Sequence, residues 1–348
     1  MVSEPRGSAA CPGPALSTRA LSTRARPADP LISLIVPVFN EADVIEAFLH
    51  RVGPELNRGT RFEIVFINDG STDATLAVLM ACAREQPGLR IVNLSRNFGK
   101  EAAMTAGLDQ ARGDASVLID VDLQDPPELL GEFVRLWRDG YDVVYGLRQS
   151  RHGDGRLKML TAGMFYRVFN RMSATPIPSN VGDFRLIDRR VMDALAQMPE
   201  RGRFMKGLFA WVGFPSVAVP YVRPPRQLGQ TSWNYWRLWN FALDGIVSFS
   251  TAPLRIWTYF GAIVALGALA YAGFIAVHTL AFGSDVPGYA SLIIVLLFST
   301  AANLISLGMI GEYVSRLFVE TKQRPIYLLE GVYGATSETG RMDGANGS

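Results

Sequence analysis

The sequence predicts an α/β protein in which a doubly wound, mostly parallel sheet is followed by interfacial helices and two transmembrane helices. Two observations lead to this fold class. Between residues 31 and 145, apolar runs that favour strands alternate with helical patterns, which is typical of parallel sheets. Residues 257–282 and 288–311 contain no Asp, Glu, Lys or Arg, and each stretch exceeds the ~20 residues that cross a bilayer core.

The order of strands and helices predicts where a ligand binds. The predicted strands are Leu31–Pro37, Phe62–Asp69, Arg90–Leu94, Val117–Ile119 and Asp142–Tyr145. The predicted helices run from an Asn40 cap through Val52, from the Gly70–Asp73 turn through Ala83, and from Lys100 to Ala111. Ligands of such sheets bind where the carboxyl ends of the strands meet. Polar residues that follow the strands are therefore expected at one common edge.

The most informative segment follows the fourth predicted strand. Because alternate residues of an extended chain share a face, Asp120, Asp122 and Gln124 are expected to converge. Two carboxylates and an amide oxygen suit Mg²⁺ or Mn²⁺, which favours diphosphate chemistry over the alternative of a solvated strand end. Asp125 and Glu128 have a structural explanation, as the N-cap and N3 residues of a helix that starts with proline.

Composition excludes several classes of function. A net charge of +2, without a basic stripe, argues against nucleic acid as a partner. Cys11 and Cys82 give neither a disulfide framework nor a cysteine zinc site, which fits a reducing cytoplasm. The chain has no Gly-x-Gly-x-x-Gly after its first strand, no P-loop motif and no Gly-x-Ser-x-Gly elbow, so dinucleotide, P-loop and serine-hydrolase sites are not expected.

Composition also divides the chain into segments. Residues 1–29 are rich in Ala, Ser, Arg and Pro and lack an apolar signal core, so a disordered extension is expected there and again at 334–348. The segments expected between them are a cytoplasmic domain at 30–225, a juxtamembrane amphipathic helix region at 226–252, transmembrane helices at 253–282 and 287–311, and a cytoplasmic juxtamembrane tail at 312–333.

Charge around the two apolar stretches predicts a multi-pass protein of the inner or plasma membrane. The loop 283–287 has no Lys or Arg, whereas Arg255 precedes the first span and Arg316, Lys322 and Arg324 follow the second. The positive-inside rule then places both ends in the cytoplasm. The aromatic segment 231–244 suits the lipid headgroup level, with packing on the soluble domain as the alternative. Pairing of the spans through Asn303 would give a homo-oligomer, although a contact within its own helix explains this residue equally well.

Four motifs, occurring together and in order, resemble family 2 glycosyltransferases. They are Pro37-Val38-Phe39-Asn40-Glu41, Asn68-Asp69-Gly70-Ser71-Thr72-Asp73, the segment Asp120 to Glu128, and Gly182-Asp183-Phe184-Arg185-Leu186. More narrowly, residues 31–328 resemble polyprenyl-phosphate glycosyltransferases, namely dolichol-phosphate mannose synthases and bactoprenol glucosyltransferases. The segment 229–254 is most similar to the latter. The resemblance implies an A-type glycosyltransferase fold at 30–225, a nucleotide-sugar donor, a divalent cation and a polyprenyl phosphate acceptor.

The resemblance also implies roles for individual residues. The nucleoside pocket would be lined by Pro37, Phe39, Glu41, Ile67 and Asp69. Asp120, with Val121 beside it, would face the ribose and sugar, while Asp122 and Gln124 would hold the metal. Asp122, Arg148 and Arg185 would serve catalysis or bind phosphates. The lipid phosphate in particular would be bound by Arg185 and Arg226. Where many relatives have Ser-Lys after the Arg-x-x-Gly glycine, this chain has Thr231-Ser232.

These inferences predict a membrane enzyme of cell-envelope glycan assembly that transfers a hexose, first of all glucose from UDP-glucose. A lipid phosphate monoester has a second pKa of about 6, so it is already charged and needs positioning more than a strong base. Direct displacement with inversion is expected. The sugar could also be GlcNAc, mannose or aminoarabinose. A processive polysaccharide synthase and a non-catalytic membrane scaffold or flippase component are the alternative functions.

Overall fold

The computed structural model describes residues 21–22, 24–56, 59–86, 88–149, 181–198, 200–222, 252–282 and 288–334. Its strands are β1 (Leu31–Val38), β2 (Arg61–Asn68), β3 (Leu89–Leu94), β4 (Ala115–Leu118), β5 (Val143–Arg148), β6 (Val181–Asp188), β7 (Ser216–Tyr221) and β8 (Leu329–Gly334). Its helices are α1 (Ile45–Leu56), α2 (Thr75–Glu85), α3 (Lys100–Gln110), α4 (Leu130–Arg138), α5 (Arg189–Ala196), α6 (Met205–Trp211), α7 (Ala252–Phe282) and α8 (Tyr289–Thr321).

All eight of these strands belong to one sheet, in the order β7-β5-β6-β4-β1-β2-β3-β8. Strands β4, β1, β2 and β3 are mutually parallel, which confirms the predicted doubly wound, mostly parallel architecture. Strand β6 runs antiparallel to β4 and β5, and β8 runs antiparallel to β3. The carboxyl ends of β1 to β5 and the amino end of β6 therefore reach the same edge of the sheet.

The sheet has an apolar core on each face. Phe48, Phe133 and Trp137 are almost fully buried on one side. Ile67 and Leu208 are buried on the other. Because helices cover both faces, the parallel strands are buried almost continuously, which explains their unbroken apolar sequence.

The end of the N-terminal extension packs on the catalytic sheet, so the prediction of disorder through residue 29 was wrong from residue 24 onward. The Arg26 guanidinium donates to the carboxylates of Asp142, at 2.7 Å, and Asp188. It also lies over the Trp137 ring, 5.0 Å from the ring centre. Two buried carboxylates need a positive partner, and composition alone gave no sign that the extension supplies it.

The segment after the second apolar helix also returns to the sheet. Helix α8 continues unbroken to Thr321, and so includes the first ten residues of the predicted juxtamembrane tail. Strand β8 then pairs with β3, and Gly334, expected in a disordered end, is its last residue. Glu330 on β8 accepts a 2.8 Å hydrogen bond from Asn93 on β3. The predicted juxtamembrane tail is thus partly a strand of the catalytic sheet.

Within the described parts of the chain, two stretches are long and apolar enough to cross a membrane, Ile256–Phe282 in α7 and Ser291–Thr321 in α8. In both stretches, no residue of the most apolar part is buried inside the protein. The predicted interfacial region up to residue 251, with Arg226, lies outside the described residues, as does the loop 283–287.

Candidate active site

The polar edge of the sheet begins with two loops that hold each other. Asn40, after β1, adopts a left-handed φ of 54°, and its Oδ1 accepts a 2.8 Å hydrogen bond from Thr72 N. Asn40 therefore joins the β1 and β2 loops; its predicted role as a helix cap was wrong, because α1 begins only at Ile45. Gly70 has φ +63°, and a Cβ there would lie 2.2 Å from the backbone carbon of Arg96. Only glycine lets the loop after β3 pass this close.

Asp69 fixes that third loop through its carboxylate. Its two oxygens accept hydrogen bonds from Phe98 N at 2.7 Å and from Gly99 N at 2.9 Å. Burial raises the pKa of Asp69, while the two backbone donors lower it. Asp69 as a whole is only 4% exposed, and its carboxylate therefore serves to shape the loop.

The residues expected around a nucleoside divide into accessible and buried ones. Phe39 is 43% exposed and offers an aromatic surface at the end of β1. Pro37 and Glu41 are partly exposed beside it. Ile67 and Val121 are 0% and 4% exposed, respectively, and belong to the core, so their side chains shape the pocket from beneath without offering a surface.

The acidic segment is a loop, because β4 ends at Leu118. The expected strand alternation of Asp120, Asp122 and Gln124 was therefore wrong. Within the loop Leu123 has φ 58°, and Asp122 Oδ1 accepts a 3.1 Å hydrogen bond from Gln124 N. The predicted Asp125 cap was also wrong. Its carboxylate accepts a 2.8 Å hydrogen bond from the Tyr221 hydroxyl, and no side chain caps the short 3₁₀ turn at Pro127–Leu129.

A lysine and strand register bring two acids together. Leu118 of β4 pairs with Arg185 of β6, so the antiparallel register points Asp120 and Asp183 toward the same place. Lys100 Nζ lies 2.7 Å from Asp120 Oδ1 and 2.8 Å from Asp183 Oδ2. Two acids thus do meet at this edge, as predicted, but the second acid is Asp183 instead of Asp122. Lys100 and not strand alternation brings them together.

Electrostatics keep this cluster charged. Burial would raise the pKa of Asp183, but Lys100 and the nearby cations Lys206 and Arg185 hold it below its usual value. Burial would lower the pKa of Lys100, but Asp120 and Asp183 raise it above its usual value. The ammonium and Asp183 therefore both remain ionised near neutral pH.

Glu101 is a further, partly buried acid beside the cluster. Burial, reinforced by the charge of Asp183, raises the pKa of Glu101 to about 7. Its carboxylate accepts a 3.1 Å hydrogen bond from Met205 N at the start of α6. Glu101 thus links α3 to α6 close to the charged edge.

The two predicted arginines have different environments. Arg185 is 4% exposed, donates a 2.8 Å hydrogen bond to Gly182 O, and lies over the Phe209 ring at 4.0 Å. Burial lowers the pKa of Arg185 to about 10, although neighbouring acids oppose this shift. Arg148 is partly exposed, and its Nη2 would lie 2.6 Å from a Cβ at Gly182. Glycine at 182 therefore makes room for the Arg148 guanidinium at the mouth of the site.

The structure adds four residues to which the sequence analysis gives no role: Lys100, Glu101, Asp183 and Tyr221. In the sequence, Lys100 is only the start of a predicted helix. Asp183 lies within a motif and alternates with Arg185, which is the one signal that could have found it. Tyr221 had no signal, because it joins the site only through β7, accepting from Arg148 Nε at 3.2 Å and donating to Asp125.

The acidic edge fits a divalent cation only as an open site. Among the described residues, no group of three or more His, Cys, Asp or Glu side chains could hold a metal by itself. Two carboxylates and an amide are nonetheless the oxygen donors that Mg²⁺ uses when substrate phosphates supply the other ligands. The Lys100 ammonium lies between Asp120 and Asp183, so the same edge already holds one positive charge.

Comparison with known proteins gives consistent matches. Residues 33–196 match the family model "Glycosyl transferase family 2", and residues 252–317 match "GtrB C-terminal hairpin". The chain is 53% identical over 304 residues to an uncharacterized glycosyltransferase of Synechocystis sp., covering 87% of this chain and 96% of that protein. It is 48% identical over 302 residues to a prophage bactoprenol glucosyl transferase homolog of Escherichia coli, covering 86% and 99%.

A solved structure is also similar over most of the chain. It is a mannosyltransferase from Pyrobaculum calidifontis in complex with GDP-Man and Mn²⁺, with 20% identity and a TM-score of 0.47, covering 88% of this chain and 90% of that one. This similarity is too low to carry ligands or mechanism from one protein to the other.

Proposed function

This chain belongs to glycosyl transferase family 2, and we propose that it transfers glucose from UDP-glucose to a polyprenyl phosphate at the cytoplasmic face of the membrane. The observation that carries this proposal is the meeting of Asp120 and Asp183 around Lys100, at the edge where the β-strands end. Glucose and the lipid are supported by the relative named as a bactoprenol glucosyl transferase homolog.

The donor nucleoside would bind on the loops after β1 and β2. Phe39 offers an exposed aromatic surface, and Asp69 holds the adjoining loop through two backbone hydrogen bonds. The pocket is therefore built before the ligand arrives, which reduces the ordering cost of binding. Asp120 would face the ribose and sugar from the loop after β4.

Mg²⁺ or Mn²⁺ would be held by Asp122 and Gln124 together with diphosphate oxygens. When bound, such a cation acts as a Lewis acid that neutralises charge on the departing diphosphate. The chain's own contribution is the geometry of the acidic loop, which the Asp122–Gln124 backbone contact helps to set.

The acceptor phosphate would be attracted by Arg148 at the mouth of the site, and by Arg226, which lies outside the described residues. Arginine binds phosphate oxygens bidentately and relieves the repulsion between two anionic substrates. Arg185, buried on Phe209, would act by positioning Asp183 and adding positive charge beneath it. The lipid phosphate would attack the anomeric carbon directly, so the product would have inverted configuration.

Membrane attachment would come from α7 and α8 as a two-span hairpin. Their lengths and apolar composition support this, and the match of residues 252–317 to "GtrB C-terminal hairpin" favours it over the many spans of a processive synthase. Arg316 near the end of the second stretch, with Lys322 and Arg324 after it, supports a cytoplasmic catalytic domain. A homo-oligomer formed by these helices remains a proposal.

A transfer assay with the purified full-length chain tests the proposed function. Detergent micelles would contain undecaprenyl phosphate, MgCl₂ and radiolabelled UDP-glucose, UDP-GlcNAc or GDP-mannose in parallel. We expect labelled lipid and UDP from UDP-glucose, and none after chelation of the cation. Asp122→Asn should lower the rate about 10²- to 10³-fold, because several kcal/mol of charge stabilisation are lost.

The matched control is Glu128→Gln, which removes a nearby acid that pairs with Arg51 on the surface. This variant should keep the wild-type rate. Wild-type activity of Asp122→Asn, or no transfer from any of the three donors, would contradict the proposal.

A further inference from the structure

Lys100 occupies the place between two acids where a cation would be expected. As the first residue of α3, it projects its ammonium to both oxygens of Asp120, at 2.7 and 2.9 Å, and to Asp183 at 2.8 Å. The two acids come from different parts of the chain, the loop after β4 and strand β6. Lys100 is therefore the contact that joins them.

The contact is accessible to ligands. The Lys100 side chain is 44% exposed, and the side chains of Asp120 and Asp183 are 24% and 18% exposed. Water and ligands can therefore reach all three groups, and a ligand with its own positive charge can take the place of the ammonium.

The same contact obstructs Asp120. Both Asp120 oxygens contact the ammonium, which leaves fewer lone pairs for a divalent cation or a substrate hydroxyl. The positive charge of Lys100 would also repel a divalent cation held by Asp122, two residues along the same loop. The structure shows the arrangement with the internal positive charge.

We propose that Lys100 is a positioning residue that serves as the internal counter-ion of the cation site. Without donor, the Lys100 ammonium holds Asp120 and Asp183 together. When the nucleotide diphosphate binds with its cation, Lys100 loses its contacts with Asp120 and keeps its contact with Asp183. This inference rests on the proposed function for the identity of the ligand, and it assigns to Lys100 a regulation of cation binding.

Titration of Mn²⁺ into the full-length chain in detergent, with free Mn²⁺ followed by electron paramagnetic resonance, tests this role. Lys100→Met keeps the length of the side chain and removes its charge. In the absence of nucleotide, it should bind Mn²⁺ about tenfold more tightly than wild type, because a repelling charge is gone. Its melting temperature without metal should be lower, and Mn²⁺ should raise it by more than in wild type.

Lys206→Met is the matched control, since Lys206 affects Asp183 through its charge and makes no described bond to Asp120 or Asp183. It should change Mn²⁺ affinity much less than Lys100→Met does. Lys100→Arg should behave as wild type. If Lys100→Met does not fold, Lys100→Gln replaces it with the same expectation, because glutamine can donate a hydrogen bond but carries no charge.

Unchanged or weaker Mn²⁺ binding by the uncharged Lys100 variant would overturn the proposal, as would an equal effect of Lys206→Met. The titration needs neither acceptor nor turnover. If Mn²⁺ binding does not tighten in the uncharged Lys100 variant, while Asp122→Asn still loses transfer, the role of Lys100 is rejected and the proposed function stands.

Discussion

The two halves of the active-site edge are held in place by different forces. On the donor half, backbone N–H groups fix the loops: Asp69 accepts from Phe98 and Gly99, and Asn40 accepts from Thr72. On the other half, ion pairs join Lys100 with Asp120 and Asp183. Backbone hydrogen bonds define one arrangement before a ligand binds, whereas exposed ion pairs can be exchanged for the charges of a ligand. We propose that the first half recognises the donor and that the second half serves the reaction.

Removal of Asp183 should break the charged half and cause a large loss of activity. Asp183→Asn would leave Lys100, Lys206 and Arg185 without their shared counter-charge. We expect transfer to fall on the order of 100-fold, equivalent to about 2.7 kcal/mol of transition-state stabilisation. The glucosyl transfer rate at saturating donor measures this change, and a rate close to wild type would show that the acid is only structural.

Removal of Arg26 should destabilise the sheet at the edge opposite the charged half. Arg26→Ala leaves the buried carboxylates of Asp142 and Asp188 without their cation, which typically costs about 3–5 kcal/mol. A marked fall in the melting temperature of the detergent-solubilised protein is expected. Arg61→Ala is the control, because its ion pair with Asp29 is exposed, and it should hardly change the melting temperature. Equal effects of the two variants would contradict this reasoning.

Removal of the Asp69 carboxylate should loosen the donor half. Asp69→Ala leaves two backbone N–H groups without their acceptor, which we expect to cost about 2 kcal/mol. The KM for UDP-glucose should rise more than kcat falls, because the pocket loses its shape while the charged half is untouched. Asp69→Asn keeps one acceptor oxygen and should be intermediate. A pure loss of kcat would place Asp69 in the reaction instead.

The smallest expected effect is that of Glu101→Gln, which should change the pH dependence of stability. Its pKa is raised to about 7 in the folded protein from an ordinary 4.5. The protonated acid is thus favoured by folding, and its contribution is complete below pH 4.5 and is lost as pH rises through 7. Glu101→Gln lacks this loss, so its melting temperature relative to wild type should rise between pH 5 and 8. Parallel melting curves for the two proteins would contradict the raised pKa.

The sequence predicted the strands and the polar edge because these signals are local. Apolar runs followed by Asn68-Asp69-Gly70 or by the Asp120–Gln124 segment predict strands and the loops after them, and the edge that they form was predicted correctly. The failures have a common cause. Strand β8, the docking of Arg26, and the Lys100 contacts all join residues that lie far apart in sequence. No local pattern records the register or charge balance that brings such residues together.

The most direct test of the whole account is the position of Mn²⁺ in a structure with UDP. An anomalous difference map should show Mn²⁺ at the carboxylate of Asp122, with Lys100 no longer bonded to Asp120 and still bonded to Asp183. Mn²⁺ bound away from Asp122, or bound there while Lys100 keeps both acids, would contradict it.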